Sequence, residues 1–154
     1  MASNHSYTIT LDNNKSEKEA INFLIKSNIE FLNPDKQSRK FIMEKLRIPN
    51  QYSRAFDLIM IKGRDNTSQS IELFDFEDII LVELKTTKKK LVNLPKGFFF
   101  GATESEFQLA RLLKEKYKFC FVSIHEESMS YSLLTIDELE KIIKTKRIQY
   151  QINL

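Results

Sequence analysis

Residues 79–87 read Ile-Ile-Leu-Val-Glu-Leu-Lys-Thr-Thr. The first six positions hold five aliphatic residues, and the run is short and β-branched, so it predicts a strand. Apolar residues fall on both faces, as in a central strand covered on both sides. Glu83 and Lys85 are two apart and project from one face, while Val82 and Leu84 point the other way. A carboxylate in the middle of such a strand is costly to bury unless a cation or an amine compensates it. Glu83-Leu84-Lys85 is the single acid-x-Lys triplet in the chain, and it falls in the most apolar segment.

Upstream, residues 55–62 (AFDLIMIK) predict another short strand. Asp57 repeats the anomaly, a carboxylate near the start of an apolar run with Ile59 and Ile61 on its own face. Two such strands side by side bring Asp57 toward Glu83. Neighbouring carboxylates repel unless a proton or a cation intervenes. Oxygen ligands with few histidines point to magnesium, with manganese as substitute. Residues 63–70 predict a turn and 71–76 a second strand of three.

The helices lie around these strands. Ser16 with Glu19 three residues on has capping-box spacing for a helix over 16–32, with Ala20, Ile21, Leu24 and Ile25 on its apolar face. Residues 1–14 predict a loose arm, within which 7–11 alternate like an edge strand. Asn33-Pro34 predicts the start of a second helix, through Leu46 and ended by Pro49. Thr103 with Glu106 predicts a capping box for a helix to about Lys116, with Phe107, Leu109, Ala110, Leu112 and Leu113 buried. Residues 118–124 predict a fourth strand, and Thr135 or Asp137 caps a last helix through Thr145. The fold class is α/β, one mixed sheet of four to five strands between helices.

The chain has 154 residues, a single-domain length, with 42% hydrophobic and 29% charged residues. The one cysteine, Cys120, excludes a disulfide framework, and two histidines leave little for histidine catalysis or metal sites. Three glycines cannot build a phosphate-cradling loop. No apolar run is long enough to cross a bilayer, and residues 1–14 lack the apolar core of a signal peptide, so a cytoplasmic protein without a membrane partner is expected.

The net charge of +3 hides an uneven distribution. Residues 84–103 carry Lys85, Lys88, Lys89, Lys90 and Lys96 with no acid. Residues 36–54 carry six basic residues, Arg39, Lys40, Arg47 and Arg54 among them, against Glu44 alone. Residues 141–154 are basic and acid-free, whereas 65–83 hold six acids and no Lys or Arg. Basic segments flanking an acidic one suit a polyanion-binding protein with a cation site. Phe98-Phe99-Phe100 either stacks on bases or leads, buried, into the following helix.

Asp57 followed 26 residues on by Glu83-Leu84-Lys85 resembles the signature of the PD-(D/E)xK nuclease superfamily, the restriction-endonuclease-like fold. The family core runs helix, three strands, helix, strand (αβββαβ), the order read here, and the sequence match covers about residues 54–124. The name-giving proline is missing, since Phe56 precedes Asp57. The resemblance implies a single nuclease domain over 1–154, with its catalytic core at 54–124. It implies that Asp57, Glu83 and Lys85 are catalytic, and that Asp57, Glu83 and the Leu84 main-chain carbonyl hold magnesium. An acid from the first helix, Glu19 or Glu30, would complete the set, and Gln108 would stand behind it. Lys88, Lys89, Lys90, Lys96, Arg39, Lys40, Arg47 and Arg54 would contact double-stranded DNA. The expected function is a site-specific restriction-type endonuclease. Because one site serves one strand, a homodimer is expected. The alternatives are a structure-selective or repair nuclease and a non-catalytic nucleic-acid-binding module.

Overall fold

A computed structural model describes residues 2–66 and 70–154, with side chains from residue 15 onward. Met1 and the middle of the expected turn at 63–70 lie outside the described residues. The elements run α1 (Ala2–Ser27), β1 (Phe31–Leu32), α2 (Lys36–Lys45), β2 (Leu58–Ile61), β3 (Ile79–Thr87), α3 (Glu104–Leu113), β4 (Tyr117–Ser123), β5 (Ser130–Leu134) and α4 (Ile136–Ile142). The five strands form one mixed sheet in the order β1-β2-β3-β4-β5. β3 pairs with β2 antiparallel and with β4 parallel, so it is the central strand. Its boundaries are those of the stretch first quoted.

Both faces of the sheet are covered, which is why β3 carries apolar residues on both. On one face Leu58, Val82, Leu84, Cys120 and Val122 pack under Ala20 and Leu24 of α1. On the other, Ile59, Leu81, Phe119 and Phe121 pack under Ile42 and Met43 of α2, Phe107 and Leu109 of α3, and Ile136 and Leu139 of α4. Among the described residues no helix is long and apolar enough to cross a membrane.

Several expectations are corrected. The backbone of α1 is helical from Ala2, so 7–11 add no strand and 2–14 form no separate arm. Ser16 is therefore an interior helical residue, buried at 6% exposure, and not a cap. The helix ends at Ser27, and Phe31 and Leu32 turn into β1. The α2 cap is Asp35, whose carboxylate accepts the Ser38 N–H at 2.7 Å, and not Asn33. Residues 71–76 form no strand: Ile71–Leu73 and Phe76–Asp78 are 3-10 turns, joined by Phe74 and Asp75. There Asp75 accepts the Glu77 N–H with its own side chain, a local bond that competes with a strand ladder. Thr103 and Thr135 both form full capping boxes, with Glu106 and Glu138. The helices behind them are shorter than expected, and Leu112 is exposed. β5 was not foreseen.

Candidate active site

The site lies where the end of β2 meets the middle of β3. Leu58 stands opposite Val82. Just before it, the Asp57 N–H donates to the Val82 carbonyl at 2.9 Å, and Asp57 Oδ2 accepts the Leu84 N–H at 2.8 Å. Asp57 thus bonds the residues on both sides of Glu83, and the two carboxyls are brought together. Lys85, on the same face as Glu83, places its Nζ 3.3 Å from Glu83 Oε1. The side chains of Glu83 and Lys85 are 9% and 11% exposed, so the group is a buried one and not a surface ion pair.

A fourth member was absent from the expected set. Glu106 Oε1 lies 2.5 Å from Lys85 Nζ, while its Oε2 accepts both the N–H and the hydroxyl of Thr103, at 2.9 and 2.6 Å. One carboxylate therefore caps α3 and holds the lysine. Capping-box spacing revealed the first role; nothing local in the sequence reveals the second.

The electrostatics follow from burial. Desolvation and the nearby Asp57 charge push the Glu83 carboxyl up to about 10. Burial likewise raises Asp57, opposed by the Leu84 N–H and by Lys85. Burial favours a neutral Lys85, but Glu83 and Glu106 outweigh it and keep the amine charged. Burial also opposes the Glu106 charge, yet Lys85 and Thr103 hold that carboxyl below its usual range.

The segment entering the site is clamped. Tyr117 donates its hydroxyl to the Ala55 carbonyl at 2.5 Å. Arg39 donates to the carbonyls of Phe56 and Asp57 at 2.6 and 3.0 Å, with its guanidinium 4.3 Å from the Phe56 ring centre. Three successive carbonyls, 55 to 57, are each held by a side chain from α2 or β4. Arg39, expected on DNA, is thus engaged in bracing the strand that carries Asp57.

Glu17, not Glu19, is the α1 acid that approaches. It is half-buried, and its carboxyl is raised by burial and by the Asp57 charge. Glu19 is exposed. Glu30 lies at the far end of β2, where it accepts the Gly63 N–H at 2.9 Å. Helical spacing could have separated these acids: Glu17 lies three, four and seven residues before Ala20, Ile21 and Leu24, on the buried stripe. Gln108 is exposed and accepts the Tyr52 hydroxyl at 3.2 Å.

A cleft of about 660 Å³ borders Asp57, lined by Lys36, Arg39, Lys40 and Arg54 over an apolar floor that includes Phe56. Arg47 is exposed at the end of α2 and does not line it. Past β3, Lys88, Lys89 and Lys96 are exposed, while Lys90 pairs with Glu127. Phe98 and Phe100 pack on Phe121, and Phe99 between them is 93% exposed.

Among the described residues no three His, Cys, Asp or Glu side chains are placed as a ready-made metal site. The acids gathered around β3 are nonetheless hard oxygen donors, and Glu83 Oε2 is buried without a hydrogen-bond partner. A buried carboxylate oxygen left unpaired is costly, and a bound cation is one partner that removes the cost. No protein-family model, curated protein or solved structure matches the chain.

Proposed function

We propose that the chain is a magnesium-dependent endonuclease of the PD-(D/E)xK kind, with a restriction-endonuclease-like core, acting on double-stranded DNA. The observation that carries this reading is the buried convergence of Asp57, Glu83 and Lys85, with one Glu83 oxygen unpaired, beside a cleft lined with cations. Charged groups gathered in an apolar sheet cost stability, and a chemical role explains their retention.

Asp57 and Glu83 would hold the ion together with the Leu84 carbonyl, and Glu17 is the α1 acid near enough to join through water. When bound, magnesium lowers the pKa of a water and neutralises charge on the scissile phosphate. Lys85, kept charged by Glu106, orients the attacking water and stabilises negative charge gathering on the phosphate oxygens. Lys40, Arg54, Lys88, Lys89 and Lys96 contact backbone phosphates, which fixes register but carries no sequence information. Cleavage of both strands calls for two copies of the site, hence a homodimer.

The test is incubation of plasmid and genomic DNA with magnesium, native protein beside Glu83→Ala and Lys85→Ala. Discrete bands are expected from the native chain, with each variant slower by about a hundredfold or more. A smear would favour a structure-selective or non-specific nuclease. No cleavage with magnesium or manganese, or undiminished cleavage by Glu83→Ala, would overturn the assignment and leave the non-catalytic module.

A further inference from the structure

The chain past α4 carries a pattern that the site does not use. Residues 147–154 read Arg-Ile-Gln-Tyr-Gln-Ile-Asn-Leu. Apolar and polar residues alternate without a break, so in extended backbone Ile148, Tyr150, Ile152 and Leu154 share one side. All four are exposed, at 81%, 81%, 80% and 115%, and the segment belongs to no strand of the sheet. Four large apolar side chains in water along eight residues form a patch of the sort that marks an interaction site.

The sheet offers a complement. β5 pairs with β4 on one side, and its other side is an edge. Its five residues, Ser-Tyr-Ser-Leu-Leu, include no charge and no proline, the usual shields of an exposed edge. The opposite edge, β1, is only two residues long, and shortness protects it. Tyr131 and Leu133 are half-exposed on β5 and provide apolar neighbours for an added strand.

The route of the chain decides whose edge is filled. Lys146 Nζ lies 4.9 Å from the centre of the Phe107 ring, so the segment sets out from α3. α4 begins two residues past β5 and packs against α3, β4 and β5, so it carries the chain from its own β5 to that point. The geometry points to a reciprocal strand exchange, in which residues 147–154 of each copy pair with the β5 edge of a second copy. Main-chain hydrogen bonds join the strands, and the alternating side chains set the register. The exchange repeats about a twofold axis and closes as a dimer. It does not depend on the nuclease reading, because no residue of the candidate site takes part.

Sedimentation of the full chain, with and without the combined substitutions Ile148→Lys, Tyr150→Lys and Ile152→Lys, tests this. The native chain is expected at twice its 18.2 kDa mass at high micromolar concentration. The variant is expected as a single chain with unchanged circular dichroism. A native chain that stays single, or a variant that stays paired, would overturn the proposal. If the variant fails to fold, amide exchange of the native protein still decides. Protection of 147–154 that grows with protein concentration supports exchange between copies. Protection independent of concentration, which means pairing within one chain, or none at all overturns it.

Discussion

Glu83 holds a proton that an exposed glutamate would have lost at neutral pH. Its carboxyl is raised from 4.5 to about 10, so between those values the folded chain binds the proton and the unfolded chain releases it. The stability tied to this group is full below about pH 4.5 and declines as pH rises toward 10. Asp57 and Glu17 are raised as well and act in the same direction. Without divalent ions, the melting temperature is expected to fall from mildly acidic to mildly alkaline pH. Glu83→Gln should flatten that slope and raise the melting temperature at pH 8 by about 3 °C, or roughly 1 kcal/mol. A slope unchanged by Glu83→Gln would show that the proton sits elsewhere. Magnesium should reverse the alkaline loss, by about 2.7 kcal/mol at a hundred times its dissociation constant. Because the ion takes the deprotonated carboxylates, the thermal shift should grow with pH. Asp57→Asn and Glu83→Gln should abolish it, Glu17→Gln should weaken it, and Glu19→Gln should leave it intact.

Each element brings one piece of the site, and its sequence showed that piece unequally well. β3 was legible to the residue, because its aliphatic run and the acids before it bound it sharply. The Thr103 and Thr135 caps were legible because a capping box is a local pattern. Residues 71–76 misled, since four apolar residues in a run of six said nothing of Asp75 closing its own turn. Ser16 misled for the converse reason: cap spacing occurs by chance inside a helix that starts upstream. The Lys85–Glu106 contact and the Arg39 brace were illegible, because they join segments far apart in the chain that only packing brings together. Arg39→Ala should unseat the carbonyls of Phe56 and Asp57 and cost about 2–3 kcal/mol in denaturant unfolding. Arg39→Lys should not restore it, since one ammonium cannot replace a fork that serves two carbonyls. Thr103→Ala should cost about 1 kcal/mol as a lost cap. Glu106→Ala should exceed that, since it also removes a partner from buried Lys85, whereas Glu106→Gln keeps an acceptor for the cap and loses only the charge.

At the scale of the molecule, the exposed cations proposed to meet DNA lie on the α2 side of the cleft and on the segment that follows β3. Duplex binding, measured by fluorescence anisotropy over a salt series, should weaken steeply, with a log–log slope of about −0.9 per phosphate neutralised. Lys88→Ala and Lys89→Ala should each reduce that slope by about one. Lys90→Ala should change it less, because Glu127 already shares its charge. A flat salt response would remove these cations from the binding surface. The same lysine-rich segment is spliced into the fold in an unusual manner. It leaves the sheet just past Lys85 and re-enters helix just before Glu106, and those two residues touch. The buried contact closes a ring of some twenty residues, 85 to 106, and the exposed stretch around Val92 within it lies away from that clasp and from the packed Phe98 and Phe100. Lengthening such a ring is thermodynamically cheap, about 0.6 kcal/mol for a doubling. A few residues added near Val92 should therefore leave unfolding almost untouched. The loop proposed to meet DNA could then change in size and shape while the buried group proposed to cut it keeps its geometry.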